Sequence, residues 1–324
     1  MSLRIFPLSL LFFALFLVGS PLRADEINFY FRTAPIVELL RPNGDAAILS
    51  LLITSADGRP VDQGTVTVRL DAPIAGGFLS TDVPMVEGAR LNQMTLPLRQ
   101  GRVNWKYLFP IRGEYSLAVE FAGVDGKKAS KSFQFTVPEN RQKWLALGGF
   151  SVGLFLVGFV AGRIFTGTKT KATTLILLIA YISAAATGAD AQAIHSEASS
   201  ARLEIEPAFV GTPSRIRWSL EGAGAKPVMA LTLTIVRLED NKIVFAVERI
   251  PVAGEFSMNF NFSDGSEHRV TAIAEAQGRA PFKTEQVINV TAVEPPLRAM
   301  IPALSLFVAL IVAGLVAGRW SKRR

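Results

Sequence analysis

The sequence predicts a mainly β chain built from two β-sandwich domains, each followed by a transmembrane helix. Three observations carry that reading. Short alternating strands recur through residues 25–143 and again through 192–297, two uncharged runs long enough to cross a bilayer follow them, and each run ends in arginine or lysine.

The chain has 324 residues, of which 49% are hydrophobic, and it contains no cysteine. Disulfide staples and thiolate metal sites are therefore excluded, and the exported domains must stand on their hydrophobic cores. The formal charge is +7. Arg4, Arg163, Lys169, Lys171, Arg319, Lys322, Arg323 and Arg324 all flank apolar runs. They more than account for that excess, so the basicity belongs to membrane flanks and not to a groove for phosphates, and no nucleic-acid partner is expected.

The first element, residues 1–24, is Arg4 followed by a Leu- and Phe-rich run, the pattern of a signal peptide cut after Ala24 or of a retained N-terminal anchor. The first sandwich domain spans 25–143. Strands are expected over Ala47–Ile53, Thr65–Leu70, Met94–Leu98, Arg102–Leu108, Glu114–Phe121 and Ser130–Val137, with turns at Asp57-Gly58 and Asp125-Gly126. Some seven short strands in such a length, with no convincing amphipathic helix, predict an immunoglobulin-like sandwich. Trp105 is expected in its core.

Residues 144–163 form the next element, a transmembrane helix with Trp144 at one rim and Arg163 at the other. A basic cytoplasmic loop, 164–171, carries Lys169 and Lys171. Residues 172–191 are a transmembrane helix or an internal signal peptide. The strongly apolar part, Leu175–Ala186, reaches only roughly 18 Å as a helix, and Ala189-Asp190-Ala191 and Ala191-Gln192-Ala193 supply two cleavage patterns. The second sandwich domain, 192–297, has strands expected over Arg202–Ile205, Ser214–Leu220, Val228–Leu238, Lys242–Arg249, Gly254–Phe262, His268–Ala276 and Glu285–Ala292, with Trp218 in its core. A transmembrane helix at 298–318 and a basic tail at 319–324 complete the chain. The positive-inside rule places both basic segments in the cytoplasm and both sandwich domains outside it, as an export signal requires. This points to a multi-pass protein of the bacterial inner membrane, with the lipid bilayer as its first partner.

The two halves correspond. Val160-Ala161-Gly162-Arg163 aligns with Val316-Ala317-Gly318-Arg319, and Glu114-Tyr115-Ser116 with Glu267-His268-Arg269, which predicts an internal duplication. The register pairs Gly158 and Gly162 with Gly314 and Gly318. Glycines four apart share a helix face and let backbones approach, so the helices are expected to pack on each other or on those of a second copy.

The candidates for chemistry are few. Gly149-Phe150-Ser151-Val152-Gly153 matches a nucleophile pattern but lies inside an apolar span, far from the strand-to-helix turn that such chemistry needs. His195 and His268 are candidate metal ligands, His268 beside Asp264 and Glu267, yet two histidines without cysteine make a poor set. Met85, Met94, Met229, Met258 and Met300 are scattered as packing residues, and Glu239-Asp240 reads as a solvated turn. No cofactor and no enzymatic activity are expected.

The runs Ala56-Asp57-Gly58-Arg59-Pro60-Val61, Gly101-Arg102-Val103 and Phe109-Pro110-Ile111-Arg112-Gly113-Glu114-Tyr115-Ser116-Leu117 resemble the immunoglobulin-like YtkA-like and FixH-like domains of bacterial envelope proteins, and Gly254-Glu255-Phe256 with Asp264-Gly265 resembles them more faintly. That resemblance implies a role beside copper handling or oxidase assembly. The residues themselves carry no His–Met cluster, and the leading expectation is an accessory or assembly factor that binds other envelope proteins.

Overall fold

The computed structural model describes residues 27–165 and 201–323, except positions 75, 77–79, 222–226, 277 and 279. The N-terminal run, the 172–191 run and His195 lie outside the described residues. Fourteen strands make two antiparallel seven-stranded sheets packed as a sandwich. The first half contributes β1 (Asn28–Ala34), β2 (Ala47–Thr54), β3 (Thr65–Asp71), β4 (Arg90–Pro97), β5 (Arg102–Tyr107), β6 (Gly113–Ala122) and β7 (Lys128–Val137). The second contributes β8 (Ala201–Ile205), β9 (Pro213–Leu220), β10 (Val228–Arg237), β11 (Lys242–Ala253), β12 (Glu255–Asn261), β13 (Glu267–Glu275) and β14 (Phe282–Asn289).

These segments form strands because their inward positions are apolar at period two. Val66, Val68 and Leu70 of β3, and Leu231, Leu233 and Ile235 of β10, are fully buried, while their neighbours are partly exposed. The expected core tryptophans, Trp105 and Trp218, are also buried. Strand β1 escaped the sequence reading because it carries aromatics on both faces, which erases the alternation. Phe29 points into the core while Tyr30 is 54% exposed. Boundaries of other strands also move, and β11 runs to Ala253, four residues past the expected Arg249. Strand β4 begins at Arg90, four residues before the expected start, and β14 runs Phe282–Asn289, shifted toward the N-terminus of the expected strand.

The sheets do not divide between the halves. Their orders are β1-β2-β5-β11-β10-β13-β14 and β7-β6-β3-β4-β12-β9-β8. In the first, Trp105, Lys106 and Tyr107 of β5 pair with Val247, Ala246 and Phe245 of β11. In the second, Asn92, Gln93 and Met94 of β4 pair with Phe260, Asn259 and Met258 of β12. Each half thus closes two edges of the other, and one continuous core runs across the seam, where Phe260 packs on Phe245 and Tyr107 at ring distances of 5.6 and 6.3 Å. The sequence led us to expect two separate domains in succession; the structure fuses them edge to edge. Advancing every strand number of the first half by seven converts β1-β2-β5 into β8-β9-β12 and β4-β3-β6-β7 into β11-β10-β13-β14, so each sheet maps onto the other.

Asn92 sits at this seam, 1% exposed, and neither its Oδ1 nor its Nδ2 has a partner among the described residues. A buried amide left unpaired costs about 1–3 kcal/mol. Leucine has nearly the same branched shape, so Asn92→Leu is expected to raise stability by about that amount, read as a higher denaturation midpoint in detergent.

Both helices leave the same end of the sandwich. Helix α1 (Arg141–Ile164) starts just beyond β7, where Asn140 caps it by accepting a bond from the Gln142 amide at 3.0 Å. Helix α2 (Leu297–Arg323) follows β14. They extend beyond the expected 144–163 and 298–318 by a turn or less at most ends, because polar residues continue the helix outside the apolar stretch. Each is long and apolar enough to cross a bilayer, and their large side chains, such as Val157, Val160, Val312 and Val316, are at least half exposed.

Candidate functional site

The four glycines of the helices meet at one seam. A Cβ added to Gly158 would lie 2.3 Å from the Ile311 carbonyl oxygen, and one on Gly162 the same distance from that of Leu315. From the other side, Gly314 and Gly318 face the Phe155 and Phe159 carbonyl oxygens at 2.2 and 2.1 Å. Backbone lies directly on backbone, which only glycine permits. The pairing order makes the helices parallel, Phe150 meets Phe307 edge-to-face at 5.3 Å, and Lys322 donates to the Arg163 carbonyl at 3.2 Å. Of the two packings open to the sequence, within one chain or between copies, this seam is the intramolecular one.

A second cluster forms where strands end nearest the helices. Arg237, at the end of β10, donates from Nε and Nη2 to both oxygens of Asp240 at 2.9 and 2.7 Å, and from Nη1 to Asp264 at 2.7 Å. The fork matches a carboxylate, so the pair is bidentate. Hydrogen bonds from Arg237 hold the Asp240 carboxyl at about 2, and donating to Asp240, ahead of the single bond to Asp264, pushes the guanidinium further up. The Glu239-Asp240 turn is thus half committed to structure, with Asp240 locked on an arginine that the sequence reading had not singled out.

His268 is 1% exposed, on β13 beside this cluster. Its Nδ1–H donates to the Ser266 carbonyl at 3.0 Å, which leaves Nε2 as the bare nitrogen, 3.7 Å from Asp264 Oδ1. That gap is too long for a hydrogen bond, and the other oxygen of Asp264 is held by Arg237. The Asp264 carboxylate is therefore neutralised by a guanidinium, and no group of three or more His, Asp or Glu side chains among the described residues could hold a metal ion. Glu267 points to solvent. Ser151 lies within α1, as do the glycines around it.

Burial lowers the affinity of His268 for a proton below the ordinary value of 6.5, outweighing the opposing pull of Asp264. The unfolded chain then takes up the proton first, so the contribution of His268 to stability is complete above about pH 6.5 and is lost as pH falls below it. Asp240 acts in the same direction much lower, between 3.8 and about 2. The thermal midpoint is therefore expected to drop between pH 7 and 5, and His268→Phe, which keeps a ring against Phe262, should flatten that dependence.

At the aligned position of the first half, Tyr115 is fully buried, donates to the Ile111 carbonyl at 2.6 Å and accepts from the Ile111 amide at 3.2 Å. The Glu114-Tyr115 and Glu267-His268 match thus places two buried rings at corresponding strand starts. A groove of about 900 Å³ opens beside Tyr115, bounded by Pro73, Ile74, Glu87 and the Arg112–Glu139 ion pair at 2.7 Å.

No family model matches the chain, and no curated protein matches it. Among solved structures it is similar to trypsin-activated alpha-2-macroglobulin from Escherichia coli, with 12% identity over 84% of this chain and a TM-score of 0.29. The chain spans 17% of the length of that protein.

Proposed function

We propose that this protein is a non-enzymatic accessory or assembly factor of the bacterial inner membrane, holding a fused pair of immunoglobulin-like units on the periplasmic side and acting through contacts with other envelope proteins. The observation that carries the reading is the joining of both sheets across the halves, together with two parallel helices leaving the same end. A body so joined presents fixed strands and loops to a partner and is tethered at two points. Orientation is supported by Arg163, Arg319 and Lys322, which cluster at the ends of the helices farthest from the sandwich.

The immunoglobulin-like assignment is supported by Tyr115. Its hydroxyl bonds back to the backbone four residues upstream at the start of β6, the arrangement of a tyrosine corner. Duplication is supported by the strand orders, which interchange when seven is added.

The test is crosslinking in native membranes followed by mass spectrometry. We expect reproducible crosslinks from sandwich lysines, such as Lys128 and Lys131 on the outer strand β7, to a small set of envelope proteins. Crosslinks confined to the chain itself would reject the contact role. In parallel, protease added to spheroplasts should digest the sandwich and spare the tail after Trp320; the reverse pattern would reject the orientation.

A further inference from the structure

The end of the sandwich from which the helices leave is also where its exposed apolar side chains gather. Strand β7 ends at Val137, beside the start of β6 and, through Asp71 opposite Ser116, the end of β3. The connections 35–46 and 206–212 and the described residues 72–74, 76 and 80–89 lie at this end. They present Ile36, Leu39, Ile74 and Phe209, exposed by 60, 62, 84 and 44%. At the far end, among the described residues, Val124 and Val228 stand singly. Scattered exposed apolar residues are ordinary, but their concentration at one end is not.

Described residues of the 72–89 and 206–212 loops are fixed to each other and to the approaches of the helices, and the 35–46 loop is fixed to the connection between β5 and β6. Asp82 of the 72–89 loop pairs with Lys143 in the first turn of α1, and the Arg112 guanidinium lies 5.3 Å over the Trp144 ring. The Gly88 amide donates to the Pro73 carbonyl at 2.8 Å, holding the base of the loop that carries Ile74. The 206–212 loop is laced to the approach of α2, with Val210 N–H donating to Thr291 O and Thr291 N–H to Ala208 O at 3.1 and 2.9 Å. Gly211 lies so close to Met85 that an added Cβ would be 2.4 Å from its carbonyl oxygen. The Asn43 amide donates to Phe109 O at 2.9 Å and fixes the 35–46 loop. Cationic Arg141 and Arg298 sit in the first turns of the helices, at the same level.

Resting on the reading that the two helices span a membrane, we propose that this end is itself a lipid-binding surface. Ile36, Leu39, Ile74 and Phe209 enter the headgroup–acyl boundary of the leaflet the helices cross, while Trp144 and the first-turn arginines lie at the level of the phosphates. Apolar side chains of peripheral proteins sink roughly 5–10 Å into that boundary, and an interfacial tryptophan marks its depth. The sandwich is then seated on the bilayer in one orientation and does not swing on its two linkers. The occupant is lipid because the surface is continuous with the apolar helices that leave it.

The chain has no cysteine, so single-cysteine variants can carry an environment-sensitive fluorophore without background. We would label Leu39→Cys, Ile74→Cys and Phe209→Cys at the base, Val124→Cys at the far end, and Val157→Cys and Val312→Cys on the helices, in vesicles of phosphatidylethanolamine and phosphatidylglycerol. Base probes should lose emission to nitroxides placed near the headgroups, helix probes to nitroxides deep in the chains, and Val124→Cys to neither. If the helix probes are quenched while the base probes stay as bright as Val124→Cys, the seating is wrong and the anchoring stands. If the helix probes are not quenched at depth, the anchoring itself fails.

Discussion

Replacing Gly314 by leucine is expected to drive α1 and α2 apart. The new Cβ would sit 2.2 Å from Phe155 O and 2.8 Å from Phe159 N, both backbone atoms of a regular helix that cannot turn aside. Overfilling a packed interface costs about 1–3 kcal/mol and sometimes more, and a Gly158→Leu change adds a second clash, with Ile311 O at 2.3 Å. The readout is thiol crosslinking between Phe150→Cys and Phe307→Cys, whose native rings lie 5.3 Å apart. A short bifunctional reagent should join them quickly in the otherwise native chain and slowly with Gly314→Leu. Gly153→Leu is the control, because a Cβ there meets nothing within 4 Å. Equal crosslinking in all three would show that the helices are not held by these glycines.

This seam was legible in the sequence because glycine spacing reports a helix face without knowledge of the rest of the fold. The sandwich strands were legible for a similar reason, since Thr65–Leu70 and Ser214–Leu220 alternate between buried and exposed positions. What joins the halves was not legible. Strands β4, β5, β11 and β12 alternate like any other strand, and nothing in a period-two pattern tells an edge that meets solvent from one that meets another strand. Even the unusual mark at the seam, the inward-facing Asn92, lies in a polar Asn92-Gln93 pair that breaks the apolar alternation, and the expected strand began only at Met94. The Arg237 cluster was hidden for another reason: its partners Asp240 and Asp264 lie in two different turns, and only the pairing of β10 with β13 brings Arg237 opposite His268.

The same seam sets the largest expected effect. A chain ending at Lys171, or one beginning after it, would keep its own helix but leave two strand edges open, β4 and β5 in one case and β11 and β12 in the other. It would also uncover part of the core at Tyr107, Met94, Phe245, Met258 and Phe260, each 0–2% exposed in the whole chain. Full burial of such a side chain contributes about 1.5–3 kcal/mol, so losing even half of that across the five is comparable with the 5–15 kcal/mol net stability of an ordinary domain. Open edges also invite pairing with the wrong strand. Each half made alone is therefore expected to aggregate or to be degraded, and the two made together as separate chains should assemble through both sheets and the glycine seam into one complex that co-purifies in detergent. A cut after Ala191 or Ala193 would, by the same reasoning, leave the sandwich intact. If each half alone runs as a single species in detergent and melts cooperatively, the seam contributes far less than its geometry implies, and the halves are independent domains after all.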